Sequence, residues 1–303
     1  MTARSLTLDA PAKLNLALAV GPPDPDDPLS RHPIASWMVA LDFGDRVTLT
    51  ALDDDASPSF DVRFADDAPA PRDVDWPLDD DLAVRAHAAV VAHIGRPLPV
   101  RLAVEKRVPP GAGLGGGSAD AAATLAGLDR LFGLGLGEPG LEPLARRLGS
   151  DVSFALGQHF GRDAAVVSGF GEQQQPLPVR PPLHFALILP TFGCPTGAVY
   201  HAIDRLPPTR THVSTDDVQA LAAADPLGPD DLFNDLTPAA VAVRPELGDL
   251  LARLTQTLGR PVHVTGSGSA CFVVCGSAQD ARDTATLIHD TLDVPALPTR
   301  SRP

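Results

Sequence analysis

Basic residues are scarce in this 303-residue chain, which has 24 Lys and Arg against 38 Asp and Glu and a formal net charge of −14. Proteins that bind DNA or RNA through the phosphate backbone need a basic face, and no dense cluster of Lys and Arg occurs along the sequence. We therefore expect no nucleic-acid partner. A small phosphate-bearing ligand is compatible with this charge if backbone amides, Mg²⁺ and a few basic side chains hold it locally.

Cysteines and long apolar runs are also few. The three cysteines, Cys194, Cys271 and Cys275, are too few and odd in number for a disulfide framework, and they lack the spacing of a zinc site. No run of about 18 apolar residues is present, and no basic segment leads into an apolar core at the N-terminus. We expect a cytoplasmic protein with no signal peptide, no membrane span and no metal site built by its own side chains.

The composition that is present is that of a globular protein, with 44% hydrophobic and 20% charged residues. Strand periodicity is found in residues 5–20, 37–52, 100–108, 183–190 and 262–275, and helical periodicity in 82–95, 119–132, 214–224, 237–243, 246–258 and 278–291. Strands and helices do not alternate strictly, which predicts the α+β class. The length favours two domains, which we place at residues 1–165 and 166–303.

The most informative stretch is a glycine-rich loop, in which five glycines fall within residues 111–117. Such a backbone can adopt positive φ and approach a ligand closely. The pattern predicts that Ser118 caps the helix that follows. The free N–H groups and the dipole of that helix would then form an anion site suited to phosphates.

Three interpretations of this loop compete on the residues alone. Residues 111–116 match G-x-G-x-x-G, but they follow Pro-Pro and no βαβ unit surrounds them, so a dinucleotide-binding fold is disfavoured. A P-loop needs Gly-Lys-Ser/Thr at its end, which is missing. A plain tight turn would not need five glycines followed by a serine-capped helix.

Two charged residues stand in apolar surroundings. Lys13 lies inside an apolar strand, where a lysine must either point to solvent or find an anion. Asp151 follows a helix that Gly149 is predicted to stop, and it opens a hydrophobic stretch. Asp151 is then either the cap of a local turn or a carboxylate held rigidly at an interior edge.

Five stretches in order resemble the GHMP kinases, a family named after galactokinase, homoserine kinase, mevalonate kinase and phosphomevalonate kinase. The loop sequence PPGAGLGGGSADAAA resembles the motif that wraps the ATP phosphates in that family. The other four are Pro11-Ala-Lys-Leu-Asn-Leu16, Leu148-Gly-Ser-Asp-Val152, Asn234-Asp-Leu-Thr-Pro238 and Thr265-Gly-Ser-Gly-Ser-Ala270. Each motif is only moderately specific, but five in order over residues 11–270 are strongly specific.

The resemblance implies a two-domain GHMP kinase fold. Its N-terminal, ATP-binding domain would be like domain 2 of ribosomal protein S5, and its C-terminal domain would be ferredoxin-like. The implied cofactors are ATP and Mg²⁺. The form Gly-Gly-Gly-Ser-x-Asp-Ala-Ala resembles the branch whose small-molecule substrate is a cytidine-diphosphate-linked methylerythritol, in non-mevalonate isoprenoid biosynthesis. No membrane and no obligate protein partner are implied.

The resemblance also assigns roles to residues. Asp151 would be the general base, and Lys13 would lie near it and near the substrate hydroxyl. The implied ATP-binding residues are Pro109, Pro110, Gly111, Ala112, Gly113, Leu114, Gly115, Gly116, Gly117, Ser118, Ala119 and Lys106. The substrate side would be lined by Asn15, His32 and Thr196.

Three positions depart from the family pattern. Arg31 stands where a tyrosine usually precedes the histidine that contacts cytosine, although a guanidinium can also stack on a flat base. Asp81 stands where an asparagine usually lies near the ATP base, and Ser153 replaces a proline. Two other hypotheses therefore stay open: a GHMP kinase that acts on homoserine or a mevalonate-like alcohol, and a non-catalytic nucleotide-binding protein on the same fold.

Overall fold

The chain folds into two compact units in the computed structural model, which describes residues 4–178, 181–207, 214–224 and 228–303. The first unit contains Met1–Ala12, Phe43–Val108 and Gly115–Arg162, and the second contains Lys13–Asp42, Pro109–Leu114 and Asp163–Pro303. Two long strands, β1 (Ser5–Val20) and β2 (Ile34–Ala51), each contribute residues to both units. The predicted domains are continuous segments whereas these units interleave, so the predicted boundary at residue 165 stays a prediction.

The first unit combines parts of β1 and β2 with two further strands and four helices. Its other elements are β3 (Ser59–Phe64), α1 (Leu82–Ile94), β4 (Val100–Lys106), α2 (Gly116–Phe132), α3 (Gly137–Leu148) and α4 (Ser150–Gln158). Residues 46–51 of β2 pair antiparallel with residues 100–105 of β4, and β3 pairs parallel with β4 on the other side. The four helices pack on one another and enclose the core of this unit.

Small residues let α2 lie in the middle of this core. The helix is rich in buried alanines, which occupy positions 119, 121, 122, 123 and 126. A Cβ on Gly127 would come within 2.5 Å of the Leu49 side chain and 2.9 Å of the Leu8 side chain. The strands can therefore approach α2 at this point only because residue 127 has no side chain.

The second unit contains the remaining elements. They are β5 (Ala164–Gly169), β6 (Gln173–Pro176), β7 (His184–Ile188), α5 (Thr196–Ile203), α6 (Thr215–Ala223), β8 (Phe233–Asn234), α7 (Thr237–Val243), α8 (Pro245–Leu258), β9 (His263–Val264), β10 (Cys271–Cys275), α9 (Ala278–Leu292) and β11 (Ala296–Arg300). Residues 34–39 of β2 pair antiparallel with β5, which also pairs with β6. Residues 17–18 of β1 pair parallel with β8.

The second unit also contains a four-stranded antiparallel sheet with the strand order β11-β7-β10-β9. Helix α9 lies against β7 and β11, and Ala281, Ala285 and Ile288 on its buried face belong to the core of this unit. The rings of Phe185 and Phe272 meet edge to face with centroids 5.7 Å apart, a favourable aromatic geometry.

Most of the predicted elements are confirmed, and the misses have physical reasons. Helix α1 ends at Gly95, which adopts the left-handed conformation (φ 67°) as the helix-stop pattern predicted. Helices α4 and α5 were not predicted. Residues 152–158 of α4 are all buried, and in α5 only Val199 is buried, so neither helix shows a periodic apolar face. The predicted serine cap of α2 is wrong: the cap position is Gly115, and Ser118 lies inside the first turn. In the part of the chain that the structure describes, no helix is long and apolar enough to cross a bilayer.

Candidate active site

The glycine loop has the backbone conformation that its composition predicted. Gly111, Gly113 and Gly115 have φ angles of 68°, 75° and 70°, in the left-handed region that favours glycine. Helix α2 begins directly after the loop, and no side chain of the described residues caps its first turn. Its leading N–H groups thus have no side-chain acceptor there, and together with the helix dipole they form a place suited to an anion.

The first half of this loop touches the second glycine motif, at residues 265–270. A Cβ on Gly113 would lie only 2.1 Å from the carbonyl oxygen of Thr265, and a Cβ on Gly266 would lie 2.7 Å from the carbonyl oxygen of Gly113. Real Cβ atoms essentially never come within 3.0 Å of such atoms. The two motifs can therefore meet backbone to backbone only as glycines.

Backbone hydrogen bonds fix this contact. The N–H groups of Ser269 and Cys194 both donate to the carbonyl oxygen of Gly111, at 3.1 and 2.9 Å. The N–H of Ala270 donates to the carbonyl oxygen of Ala112 at 3.0 Å. These hydrogen bonds fix the backbone of residues 111 and 112, so this part of the loop has a defined conformation before any ligand binds.

The side chain of Asn234 is hydrogen-bonded to the backbone of the second glycine motif. Its side-chain amide donates to the carbonyl oxygens of Val264 and Gly266, both at 2.8 Å, and its side-chain oxygen accepts the N–H of Leu236 at 2.9 Å. The motif Asn-Asp-Leu-Thr-Pro therefore has a structural role, because Asn234 fixes the turn that packs on residues 111–113 of the glycine loop.

Lys13 is brought next to both glycine motifs. Its backbone N–H donates to the carbonyl oxygen of Leu114 at 2.9 Å, and a Cβ on Gly266 would lie 3.2 Å from its Nζ. The residue is only 5% exposed. Its Nζ donates to Asn15 Oδ1 at 2.5 Å. The strand lysine is therefore turned inward, beside the loop, and not toward solvent.

Asn15 and Thr196, the predicted substrate-side residues, are also anchored. Asn15 receives the hydrogen bond of Lys13, and its Nδ2 donates to Ser36 Oγ at 2.8 Å. Its backbone N–H donates to Thr265 Oγ1 at 2.9 Å. Thr196, the first residue of α5, lies with its hydroxyl 3.0 Å from the hydroxyl of Ser267 in the second glycine motif.

His32 has partners on both ring nitrogens. Nδ1 lies 2.8 Å from the carbonyl oxygen of Gly21 and Nε2 lies 3.3 Å from Asp204 Oδ1. The ring of Tyr200 tilts against it at a centroid distance of 5.4 Å. With Nδ1–H donating to the carbonyl, the ring can donate to Asp204 as well only when it is protonated. The edges of this ring are thus occupied within the protein.

Arg31, the residue in the usual tyrosine position, is held in a fixed pose. Its Nε and Nη2 donate to Asp27 at 3.1 and 2.7 Å, and its guanidinium carbon lies 4.3 Å from the centroid of the Phe170 ring. Hydrogen bonds from the side chain and the backbone of Arg31 lower the pKa of Asp27 to about 2. The guanidinium plane is preorganised, and about half of the side chain (51%) is exposed.

Lys106 lies in the first unit, in a buried cluster with two carboxylates. Its Nζ is 2.5 Å from both Asp45 Oδ2 and Asp120 Oδ2, and the three side chains are 0–5% exposed. Burial lowers the pKa of Lys106, but the Asp120 and Asp45 carboxylates outweigh it and raise this pKa above its usual range. Burial raises the pKa of Asp120, against the opposing effect of Lys106.

Asp151 and Ser153 both lie on α4. Asp151 is half-buried in the first turn, where the helix N-terminus favours negative charge. Ser153 is 1% exposed, and its hydroxyl has no hydrogen-bond partner among the described residues. Asp81 precedes α1 and uses both carboxylate oxygens: Oδ1 accepts the N–H of Ala83 at 2.9 Å and Oδ2 accepts the indole N–H of Trp76 at 3.0 Å.

Several residues of this region escaped the sequence analysis. Asp45 had one signal, an acidic residue directly after Gly44 inside an apolar strand, and Tyr200 had none. Ser267 lay inside a recognised motif but received no role. Among residues 4–178, 181–207, 214–224 and 228–303, no group of three or more His, Cys, Asp or Glu side chains is arranged to hold a metal ion.

Comparison with known proteins identifies the family. The family described as the GHMP kinases N terminal domain matches residues 81–169. A 4-diphosphocytidyl-2-C-methyl-D-erythritol kinase of Thermobifida fusca (strain YX) is 41% identical over 292 residues, which cover 94% of this chain and 92% of the relative. The enzyme of that name from Caulobacter vibrioides (strain NA1000 / CB15N) is 38% identical over 297 residues, covering 92% and 93%.

Solved structures agree. A crystal structure of a 4-(cytidine 5'-diphospho)-2C-methyl-D-erythritol kinase matches with a TM-score of 0.73 and 30% identity, covering 98% of this chain and 100% of that one. A mevalonate kinase from L. major matches with a TM-score of 0.68 at 13% identity, covering 100% and 97%, which shows a shared fold. The predicted GHMP kinase fold is confirmed. The chain belongs to the 4-diphosphocytidyl-2-C-methyl-D-erythritol kinase family of the GHMP kinases.

Proposed function

We propose that this protein transfers the terminal phosphate of ATP to the 2-hydroxyl of 4-diphosphocytidyl-2-C-methyl-D-erythritol, in the non-mevalonate route to isoprenoid precursors. The observation that carries the proposal is the 41% identity with a kinase of that name over 94% of the chain. The geometry of the glycine loop supports the part of the proposal that concerns ATP binding. The three buried, free cysteines fit a reducing compartment, so we place the reaction in the cytoplasm.

The glycine loop fits the phosphates of ATP. The positive φ angles of residues 111, 113 and 115 allow close backbone approach to a ligand. The leading N–H groups of α2 have no side-chain cap and suit an anion. We assign nucleotide binding to residues 109–119, with the Ser118 hydroxyl available to a phosphate oxygen or to Mg²⁺. ATP is the phosphoryl donor, and Mg²⁺ bound with it would offset part of the negative charge of its phosphates.

Lys13 and Asp151 are the residues to which we assign the transfer. The substrate hydroxyl oxygen forms a bond to the terminal phosphorus while the bond to the leaving ADP oxygen breaks, and Asp151 accepts the hydroxyl proton. Lys13, already buried beside the loop, offsets the negative charge that develops. Its hydrogen bond to Asn15 keeps the ammonium group in place.

For the cytidine end of the substrate we assign a pocket that His32 lines, with Tyr200 beside it. The imidazole is fixed by Gly21 and Asp204, so a ring of defined position is available for a flat base. Asn15 and Thr196 are assigned to the methylerythritol end, where their polar groups are held by Ser36 and Ser267.

One observation, the arginine at position 31, favours a second candidate function. Arg31 replaces the tyrosine usual in the family, and it is committed to Asp27 and Phe170. A pocket altered in this way would suit a GHMP kinase for another alcohol, such as homoserine or a mevalonate-like compound.

A substrate panel tests both candidates. ADP release is measured with MgATP and 4-diphosphocytidyl-2-C-methyl-D-erythritol, homoserine or mevalonate, for the wild type and for Asp151→Asn. Turnover with the cytidyl substrate alone, lost in the variant, is the expected result. Turnover with homoserine or mevalonate, and none with the cytidyl compound, would refute the proposed substrate and favour the second candidate function. Nucleotide binding without ADP release from any alcohol would refute catalysis and favour a binding protein.

A further inference from the structure

We infer that Lys106, Asp45 and Asp120 form a positioning cluster that holds the two ends of the glycine loop in register for ATP. Lys106 then serves nucleotide binding through this cluster and makes no contact of its own with a phosphate. The inference rests on the proposed function, because it concerns the ATP site of that reaction.

Asp45 holds the end of the strand that leads into the loop. Strand β4 ends at Lys106, and the chain enters the loop through Arg107 and Val108. The N–H groups of both these residues donate to Asp45 Oδ1, that of Val108 at 2.8 Å. The Asp45 side chain is fully buried, so water does not compete for these hydrogen bonds.

The other end of the loop meets the same cluster. A Cβ on Gly116, the first residue of α2, would lie 3.2 Å from Asp45 Oδ2 and 2.8 Å from the Cβ of Val108. One turn further along α2, Asp120 Oδ2 accepts a hydrogen bond from Lys106 Nζ at 2.5 Å. Lys106 donates to Asp45 at the same distance. The strand end and the helix start are thus joined through a single ammonium group.

The charges explain why Lys106 stays in the cluster. Turning toward a phosphate would leave two buried carboxylates facing each other without a cation, which is strongly unfavourable. Lys106 is already 4% exposed and bonded to both of them. A buried ionic cluster adds little net stability, so its use here is to fix one arrangement of the groups that it joins.

Two single variants test the inference because both leave Lys106 in place. Asp45→Asn weakens the hold on the strand end, and Asp120→Asn weakens the hold on the helix. We expect the affinity for ATP and ADP, measured by calorimetric titration, to fall between about tenfold and about a hundredfold, as for a misplaced binding group. The KM for the alcohol should stay unchanged, and kcat should be largely recovered at saturating ATP.

The opposite result would overturn the inference. If Lys106 were itself a phosphate ligand, removal of a carboxylate partner would leave its charge more available, and ATP affinity would stay the same or increase. If a single variant does not fold, the triple variant Lys106→Met, Asp45→Asn and Asp120→Asn removes the charges together. ATP bound by that variant with the affinity of the wild type would equally exclude a positioning role.

Asp129 provides a matched control in the same unit. It lies near the other end of α2, and its carboxylate accepts the N–H groups of Leu136 and Gly137 at 2.9 and 3.0 Å, much as Asp45 holds two backbone amides. Asp129→Asn should lower stability and leave ATP affinity unchanged. An equal loss of ATP affinity there would attribute the effect to general destabilisation. Failure of the wild type to bind ATP would instead refute the proposed function.

Discussion

Gly113 and Thr265 approach so closely that a Cβ on Gly113 would lie 2.1 Å from the carbonyl oxygen of Thr265. The φ angle of Gly113 is also 75°, a conformation that residues with side chains rarely adopt. The contact joins two glycine motifs that are far apart in the sequence, and it depends on the absence of one methyl group.

The first prediction concerns Gly113→Ala. We expect a loss of stability of about 1–2 kcal/mol from the left-handed conformation and a further loss of about 1–3 kcal/mol from the overpacked contact. ATP affinity should fall with it. Gly95→Ala is the matched control, since its φ is 67° but no atom lies within 4 Å of the added Cβ. Denaturant unfolding and ATP titration of both variants check this; equal effects would show that the contact is unimportant.

The second prediction concerns Asn234→Asp, an isosteric change that replaces the donating amide by a carboxylate. The carbonyl oxygens of Val264 and Gly266 would then face an acceptor instead of a donor. We expect stability to fall by about 2–3 kcal/mol, since two buried acceptors lose their partner, and kcat/KM to fall as well. Gln173→Glu, the same chemical change on the exposed strand β6, is the control for added charge. A free energy of unfolding for Asn234→Asp equal to that of the wild type would contradict the structural role of the Asn234 amide.

The glycine loop and the helices around it were predictable from the sequence because they follow local rules. Periodicity located α1, and a run of glycines can be recognised without any partner. The exact start of α2 was not predictable, because Ser118 is a good capping residue. The helix instead begins two residues earlier, at Gly116. Packing of Gly116 against Val108 and Asp45 is a tertiary contact that no local pattern contains.

The partners of the charged residues were not predictable for the same reason. The sequence left open whether Lys13 points to solvent, and only the fold shows it turned toward Asn15. Lys106 was predicted to reach the nucleotide from its place before the loop. Its partner Asp45 lies 61 positions away in the sequence, and this pairing depends on the register of β2 against β4.

The third prediction is a pH dependence of stability caused by Asp120. Burial raises the pKa of Asp120 well above its usual range, although Lys106 opposes this effect. Below the unfolded pKa of about 3.9 both states are protonated. As the pH rises, the unfolded state ionises first, so the wild type loses about 1.4 kcal/mol per pH unit until the folded pKa is reached. Asp120→Asn cannot ionise, so its stability relative to that of the wild type should increase as the pH rises.

Guanidinium unfolding at about pH 5 and about pH 8 measures this difference. Glu138→Gln is the control whose stability difference from the wild type should be the same at both pH values, because the hydrogen bond from Arg162 lowers the pKa of Glu138 and the group is ionised in both states throughout this range. The stability that Glu138 contributes is present above its unfolded pKa and is lost as the pH falls. A stability difference between the wild type and Asp120→Asn that does not change with pH would mean that Asp120 is ionised in the folded protein.

The fourth prediction concerns His32→Gln. The change removes the ring beside Tyr200 and the contact with Asp204. Because stacking on a base is worth about 1–3 kcal/mol, the KM for the cytidyl substrate should rise about tenfold or more. The KM for ATP should not change. His93→Gln, at an exposed position near the end of α1, is the control. A rise in the KM for ATP alone would place His32 outside the cytidine pocket.

The fifth prediction separates chemistry from binding at Lys13 and Asp151. Asp151→Asn removes the proposed proton acceptor, and Lys13→Met removes the proposed charge-stabilising group while keeping an unbranched side chain. Each should lower kcat by about 10²–10⁴-fold, with little change in either KM. Ser150→Ala and Arg101→Met, at exposed positions, are the controls for α4 and for loss of a strand cation. Single-turnover phosphoryl transfer with saturating substrates isolates the chemical step. Near-wild-type rates in Asp151→Asn would remove the carboxylate from the mechanism, and in Lys13→Met they would leave the buried lysine a structural role only.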